Sequence, residues 1–180
     1  SIRVESPSPL SKDPDFPGTR FEFTVTVFSK EKTVKNIDNE SVRKYHQIKT
    51  LIVLEKNTTE DYLLKTLHNF GISTYLNFYQ ENTIDLIRNN THQKLEKYKL
   101  IIVRHTESFN GFEVLERLYE AGLTGQFLIT LISSRDEKNN RIHARKLGVD
   151  YYIIEPFESS ELFDIIQDNF WNIELEEGET

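Results

Sequence analysis

The sequence has no cysteine and no methionine among its 180 residues. Without cysteine there is neither a disulfide framework nor a thiolate metal site, which is typical of proteins from reducing compartments. No apolar run approaches the roughly 18 residues that a membrane-spanning helix requires. The chain also does not open with the charged and apolar regions of a signal peptide. We therefore expect a cytoplasmic protein segment.

Motifs that mark enzymes on α/β folds are missing as well. The chain shows no glycine-rich dinucleotide motif, no P-loop and no nucleophile elbow. Its histidines lack metal-ligand spacing, so we predict neither a metal site nor a cofactor; they are His46, His68, His92, His105 and His143. His105 follows the third predicted strand and could be imagined as a phosphoacceptor, but a surface loop histidine is the simpler interpretation. The segment is not predicted to be an enzyme, although fold alone does not exclude it.

The chain has fewer basic than acidic residues, 22 Lys and Arg against 29 Asp and Glu, which gives a net charge of −7. Phosphate binding depends on clustered lysine and arginine, so this balance argues against a nucleic-acid surface. Residues 1–47 carry eight Lys and Arg against seven Asp and Glu, which leaves the acidic excess on the remainder. Part of that excess lies in residues 173–180, which we interpret as a solvated acidic tail.

Residues 1–29 form the first segment of the chain and contain one predicted strand. A loop rich in serine, proline and aspartate precedes "TRFEFTVTVF", whose alternation is typical of a strand. Phe21, Phe23, Val25 and Val27 fall on one face, so the strand should have a core on that side only. Residues 30–47 are polar and without a sustained period, which predicts a linker with one short helix near Ser41 to His46.

From Ile48 onward, short apolar runs alternate with helical segments. The predicted strands are "IKTLIVL", "ISTYLNF", "KLIIV", "QFLITLI" and "YYII", and each is followed by a helical pattern. The first helix has Asn57 as a plausible N-cap and ends at Gly71. Strand–helix units in succession require crossovers, so the fold class is α/β, a five-stranded parallel sheet with helices on both faces.

In such a sheet, function is expected just beyond the carboxyl ends of the strands. The residues at those positions are Leu54, Glu55, Lys56, Val103, Arg104, Ser133 and Glu155.

Residues 48–172 resemble the receiver domain of two-component response regulators, which has the flavodoxin-like strand order. The similarity is carried by "IKTLIVLEKN", "NGFEVLERL" and "LISSRDEKNNRIHARKLGVDYYIIEPFESSELFDII", in that order and spacing. The resemblance implies that acidic residues after the first strand hold Mg²⁺ and that an aspartate ending the third strand accepts a phosphoryl group. It also implies a Thr or Ser after the fourth strand and a Lys before the proline after the fifth.

This chain departs from that pattern at most of those positions. The phosphoacceptor position falls on Val103, eight residues before Gly111, or on Arg104 if the loop is one residue shorter. Leu54 and Glu55 stand at the two acidic positions, and Glu155 replaces the lysine. We predict a phosphorylation-incompetent, metal-free pocket in which Glu55 and Glu155 pair with Lys56 or Arg104. The alternative is that these four side chains are unrelated and solvated.

Two features of the receiver switch remain. Ser133 stands at the Thr/Ser position, and Tyr152 stands at the aromatic position three residues before Glu155. Without a phosphoryl group, nothing draws Ser133 inward and couples it to Tyr152. The simpler interpretation is that Tyr152 packs against its neighbours and Ser133 caps a turn. In either case the surface around Arg141, Arg145, Tyr152 and the last helix is the expected partner-binding face.

The N-terminal segment resembles the closing hairpin of a histidine-kinase ATP-binding domain. Gly18, Thr19, Phe21 and Phe23 carry that similarity, and the order hairpin then receiver is that of hybrid histidine kinases. The chain begins abruptly and without methionine, so we expect a piece of a sensor histidine kinase whose whole may be membrane-anchored. The hairpin should pack against the receiver-like domain or against a second copy.

Two functional classes follow. The first is a receiver-like module of a phosphorelay hybrid kinase that acts by contacts with other domains, a regulator protein or a second copy. The second is a sensor that holds a small ligand in the vacated pocket bounded by Leu54, Val103, Ser133 and Glu155.

Overall fold

A computed structural model describes residues 2–8, 10–13, 15–16, 18–24, 45–56, 58, 60–91 and 97–170. The chain divides into two compact units, Ser1–Asn36 and Ile37–Thr180. Val25, Val27, Asn57, the acidic tail and most of the predicted linker helix lie outside the described residues. The domain boundaries near residues 29, 47 and 172 stay predictions.

The first unit contains an antiparallel hairpin formed by β1 (Ile2–Glu5) and β2 (Arg20–Phe23). Ile2 stands opposite Phe23 and Val4 opposite Phe21, so these four apolar side chains share one face. All four are exposed. The hairpin was predicted, but the described residues of this unit contain no core beneath Phe21 and Phe23, because a two-stranded ribbon has no second layer of its own.

The second unit alternates strands and helices from residue 49 onward. Its elements are β3 (Lys49–Leu54), α1 (Asp61–Asn69), β4 (Ser73–Phe78), α2 (Thr83–Thr91), β5 (Leu100–His105), α3 (Gly111–Glu120), β6 (Leu128–Ser133), α4 (Lys138–Lys146), β7 (Tyr151–Ile154) and α5 (Ser159–Phe170). The five strands form one parallel sheet in the order β4-β3-β5-β6-β7. The predicted fold class is therefore confirmed.

Two hydrophobic cores cover the two faces of this sheet. Helices α2, α3 and α4 pack on one face, and α1 and α5 pack on the other. Along β5, Ile101 and Val103 point into the first core, whereas Leu100 and Ile102 point into the second. A strand buried on both faces must be apolar at nearly every position, which explains why these strands appear in the sequence as continuous runs.

Element ends differ from the predictions at positions that matter for the site. Strand β5 continues through Arg104 to His105, which pairs with Ser133 of β6, so His105 is not in a loop. Helix α1 begins after Glu60, whose side chain makes no capping hydrogen bond. Within the described residues, none of the helices has both the length and the apolar character needed to cross a membrane.

Candidate functional site

The carboxyl edge of the sheet holds a buried arginine between two carboxylates. Arg104 points to the α1 and α5 face, and its Nε donates to Glu60 Oε1 at 2.6 Å. Its Nη2 lies 2.8 Å from Glu155 Oε2. Glu60 directly precedes α1 and Glu155 directly follows β7, so the guanidinium joins three separate segments. We call Glu60, Arg104 and Glu155 the Arg104 cluster.

Burial sets the electrostatics of the Arg104 cluster. The side chains of Arg104 and Glu60 are 8% and 7% exposed, and that of Glu155 is 33% exposed. Burial raises the pKa of Glu60, the charge and hydrogen bond of Arg104 oppose that shift, and the charge of Glu155 adds to it. Arginine keeps its charge even when buried, so it supplies a permanent cation here. Its Nη1 is buried and has no hydrogen-bond partner among the described residues.

The predicted pairing is present only in part. Arg104 contacts Glu155, but the Glu55 carboxylate instead accepts a hydrogen bond of 2.6 Å from the Ser108 hydroxyl. Lys56 is exposed. Sequence analysis missed Glu60, because a helix capped at Asn57 would have placed Glu60 in a solvated first turn. The only available signal was an acidic residue immediately before an apolar helical period.

The vacated pocket of the sequence analysis is closed in the structure. Leu54, Val103 and Ser133 are fully buried, so a water-sized molecule does not reach them. Leu54 belongs to the core beneath α1 and α5, whereas Val103 belongs to the core on the opposite face of the sheet. These two side chains therefore do not line one shared cavity, and a ligand there would require the cores to open.

Ser133 and Tyr152 meet at the turn after β6. The Ser133 hydroxyl donates to the Arg135 carbonyl at 2.8 Å and accepts from the Arg135 N–H at 3.2 Å. The Tyr152 hydroxyl donates to the same carbonyl at 3.1 Å. The Arg141 guanidinium lies 5.0 Å from the centroid of the Tyr152 ring, at a distance typical of a cation–π contact. Ser133 thus caps a turn and Tyr152 is held beside it.

An open groove of about 480 Å³ lies between α3 and the start of α4. His105 Nδ1 accepts the Gly111 N–H at 3.2 Å, and burial lowers the pKa of His105. Phe112 packs against His105 and stacks on His143 at 5.0 Å. Within the described ranges, no group of three or more His, Cys, Asp or Glu side chains is arranged to hold a metal ion.

Comparison with protein-family models finds no match. Among curated proteins, the chain is similar to the transcriptional activator protein IrlR of Burkholderia pseudomallei, in strains 1026b and K96243. The identity is 31% over 116 residues, which cover 64% of this chain and 47% of the relative. The chain therefore spans about half the length of the curated relatives it matches.

Solved structures with a similar fold include response-regulator receivers. The receiver domain of Francisella response regulator 1452 superposes with a TM-score of 0.56 at 20% identity, covering 71% of this chain and 99% of that one. The CheY-like receiver from Methanospirillum hungatei JF-1 gives 0.55 at 18%, covering 68% and 93%. A Burkholderia pseudomallei response regulator with a phosphorylated aspartic acid, calcium ion and citrate gives 0.53 at 17%, covering 69% of each chain. The second unit has the receiver fold.

Proposed function

We propose that the second unit is a receiver-like module of two-component signalling that accepts no phosphoryl group and acts through protein contacts. The observation that carries this proposal is Val103. It stands eight residues before Gly111 and is fully buried among hydrocarbon side chains. Phosphoryl transfer needs a nucleophilic oxygen or nitrogen, and valine offers neither.

Two neighbouring positions also depart from the phosphorylation chemistry that the resemblance implies. Arg104 is the residue after Val103, and its guanidinium contacts the Glu60 and Glu155 carboxylates. Glu155 stands where the resemblance implies a lysine, so a negative charge replaces the positive charge that would stabilise a phosphoryl group. The Burkholderia pseudomallei structure with a phosphorylated aspartic acid belongs to a protein that does have an acceptor.

Incubation of the intact chain with radiolabelled acetyl phosphate and Mg²⁺ is expected to give no acid-stable, base-labile label. The reason is that no carboxylate stands at the acceptor position. A phosphorylatable receiver domain in the same assay provides the positive control. Label at more than a few per cent of the protein would contradict the proposed incompetence.

The contact surface of this proposal is formed by α4, β7 and α5, and we call it the β7 face. Helix α4 presents the exposed cations Arg141, Arg145 and Lys146. Helix α5 presents the exposed carboxylates Glu161, Asp164 and Asp168. Strand β7 is an edge of the sheet, and its half-buried Tyr152 and Tyr151 pack on the α4 side and the α5 side of the sheet, respectively. A surface with one cationic and one anionic flank is self-complementary under two-fold rotation.

The partners we infer are other domains of a parent hybrid histidine kinase, a regulator protein, or a second copy of the chain. The kinase context rests on the hairpin, which has the paired strands that the resemblance to an ATP-binding domain implies. The matched curated relative is a transcriptional activator, so its similarity does not support the inference of a kinase parent. A cytoplasmic location follows if that parent is correct.

Reversing the cationic flank tests the contact function. The double variant Arg141→Glu/Arg145→Glu is expected to weaken self-association or partner binding at least tenfold, because like charges then meet across the interface. Sedimentation equilibrium and binding to the neighbouring kinase domains provide the measurement. The matched control is Arg88→Glu, an exposed arginine on α2 that pairs with Asp85.

A charge swap distinguishes the partners. If a second copy binds the β7 face, mixing the double variant with an Asp164→Lys/Asp168→Lys variant should restore association. If another domain binds, the mixture should not recover, while binding of that domain to the wild-type chain persists. Unchanged affinity in both double variants would remove the β7 face from the proposal.

A further inference from the structure

The resemblance to receivers implies a magnesium ion, and the residues at this edge of the sheet do not fit one. Mg²⁺ demands near-octahedral oxygen ligands, usually one or two carboxylates together with waters and phosphate oxygens. Leu54 and Val103 have hydrocarbon side chains, and both are fully buried. The Glu55 carboxylate accepts a hydrogen bond from Ser108. Of the three acidic residues that the resemblance implies around the metal, only the one at Glu55 is therefore present.

The two other carboxylates at this edge already have a cation. Glu60 and Glu155 lie 2.6 and 2.8 Å from nitrogen atoms of the same guanidinium. A divalent ion that bound either carboxylate would have to withdraw it from Arg104. That would leave a buried arginine short of its counter-ion, which is strongly unfavourable.

We propose that Arg104 is the built-in cation of this site, which compensates Glu60 and Glu155 and thereby excludes divalent metal. The inference rests on the proposed function, since it explains how a receiver-like site remains electrostatically balanced without metal or phosphoryl group. Glu60 and Glu155 act as positioning residues for the guanidinium. The carboxylates of Glu60 and Glu155 are therefore neutralised by a side chain of the same protein, and this compensation does not depend on the concentration of Mg²⁺ or of a phosphodonor.

The Arg104 cluster is connected to the β7 face through short contacts. The Glu155 N–H donates to the Ser133 carbonyl at 2.8 Å. Ser133 and Tyr152 both hydrogen-bond Arg135, and Tyr152 lies on the β7 face. A Glu155 carboxylate held by Arg104 therefore keeps the ends of β6 and β7 in one arrangement. We expect the β7 face to retain one conformation with or without Mg²⁺ and beryllofluoride.

The test is a Mg²⁺ titration of the intact chain and of Arg104→Gln, followed by backbone amide NMR and thermal unfolding. The wild-type chain is expected to show no saturable shift at the amides of Glu55, Glu60 and Glu155. In Arg104→Gln, Glu60 and Glu155 lose their cation, and the charge of Glu155 already raises the pKa of Glu60. That variant should gain a saturable response and a Tm increase of about 3–6 °C at 10 mM Mg²⁺.

Two further variants act as controls. Arg104→Lys retains the positive charge and is expected to remain unresponsive to Mg²⁺. Arg117→Gln removes an exposed arginine that lies 3.5 Å from Glu113 on α3, and it should also remain unresponsive. If Arg104→Gln is unfolded in metal-free buffer, Mg²⁺ or Ca²⁺ is expected to restore its folded spectrum.

Saturable binding by the wild-type chain with millimolar or tighter affinity would overturn the role of Arg104. An Arg104→Gln variant that neither binds divalent ions nor refolds with them would also overturn it. These failures are distinct from failure of the proposed function. Phosphoryl label on a wild-type chain that binds no Mg²⁺ would end the proposed incompetence and leave the role of Arg104 intact.

Discussion

Arg104→Leu is expected to lower the free energy of unfolding by about 3–5 kcal/mol, measured by urea denaturation at pH 7. The loss arises because the buried Glu60 carboxylate is left without its partner at 2.6 Å. The matched control is Arg117→Leu, since Arg117 and Glu113 are 44% and 50% exposed and such pairs contribute about 0–1 kcal/mol.

A double-mutant cycle isolates the charge pair from packing. Arg104→Leu/Glu60→Leu should recover most of the loss, because the Glu60 carboxylate that Arg104→Leu leaves buried without its partner is then removed as well. If the double variant is as unstable as the sum of the single variants, the pair does not behave as a coupled unit.

The same single variant should show a changed pH dependence. Burial raises the pKa of Glu60 above its ordinary 4.5, and Arg104 limits that rise, so its removal raises the pKa of Glu60 further. A carboxyl with a raised folded pKa contributes stability below its unfolded pKa, and that stability is lost as pH rises through the folded pKa. The deficit of Arg104→Leu should therefore be smallest near pH 4.5 and grow towards pH 7. A deficit that grows as the pH falls would contradict this assignment.

Gly111→Ala is expected to destabilise the second unit by about 3 kcal/mol or more. Gly111 begins α3, and a Cβ built there would clash with the Arg104 carbonyl oxygen and lie 3.2 Å from His105 Cβ. Backbone at the end of β5 would have to move, because the obstacle is a main-chain atom and not the end of a flexible side chain. Urea unfolding gives the magnitude, and shifted amides at Arg104 and His105 would locate the strain.

Gly122→Ala provides the comparison for Gly111→Ala. Gly122 has a φ of +66° and nothing within 4 Å of an added Cβ, so its cost comes from the left-handed backbone alone. That cost is about 1–2 kcal/mol. A loss at Gly111 no larger than the loss at Gly122 would mean that the β5–α3 connection adapts easily.

Much of the fold was predictable because the three central strands β3, β5 and β6 are buried on both faces, which requires continuous apolar runs, and because every strand is followed by a helical pattern. Strand β7 matches the predicted "YYII" at both ends, and β4 differs from its prediction by one residue. Strand β5 is longer than predicted because Arg104 and His105 pair with Ile132 and Ser133 of β6. Backbone pairing with a strand that is distant in sequence does not require any particular residue type, so local periodicity does not predict it.

Sequence analysis identified the site residues that stand at positions of the receiver motif. It did not identify a residue whose role comes from a contact with another residue far away in the chain. Ser133 ends β6 and Glu155 directly follows β7, as sequence analysis placed them, whereas Val103 lies two residues before the end of β5. Glu60 was missed, since its importance comes from a contact with Arg104, 44 residues away in the chain. The exposed apolar face of the hairpin was missed because alternation predicts a shared face but not what covers it.

The sequence by itself determined the order of strands and helices, and it places valine at residue 103 and glutamate at residue 155, where the resemblance to receivers implies an aspartate and a lysine. These follow from residue type and local periodicity, which burial imposes on each segment separately. The tertiary structure alone decided that Arg104 is buried between Glu60 and Glu155 and that Gly111 leaves no room for a side chain. The physical reason is that desolvation and close approach depend on which distant segments meet, and that is a property of the packed sheet.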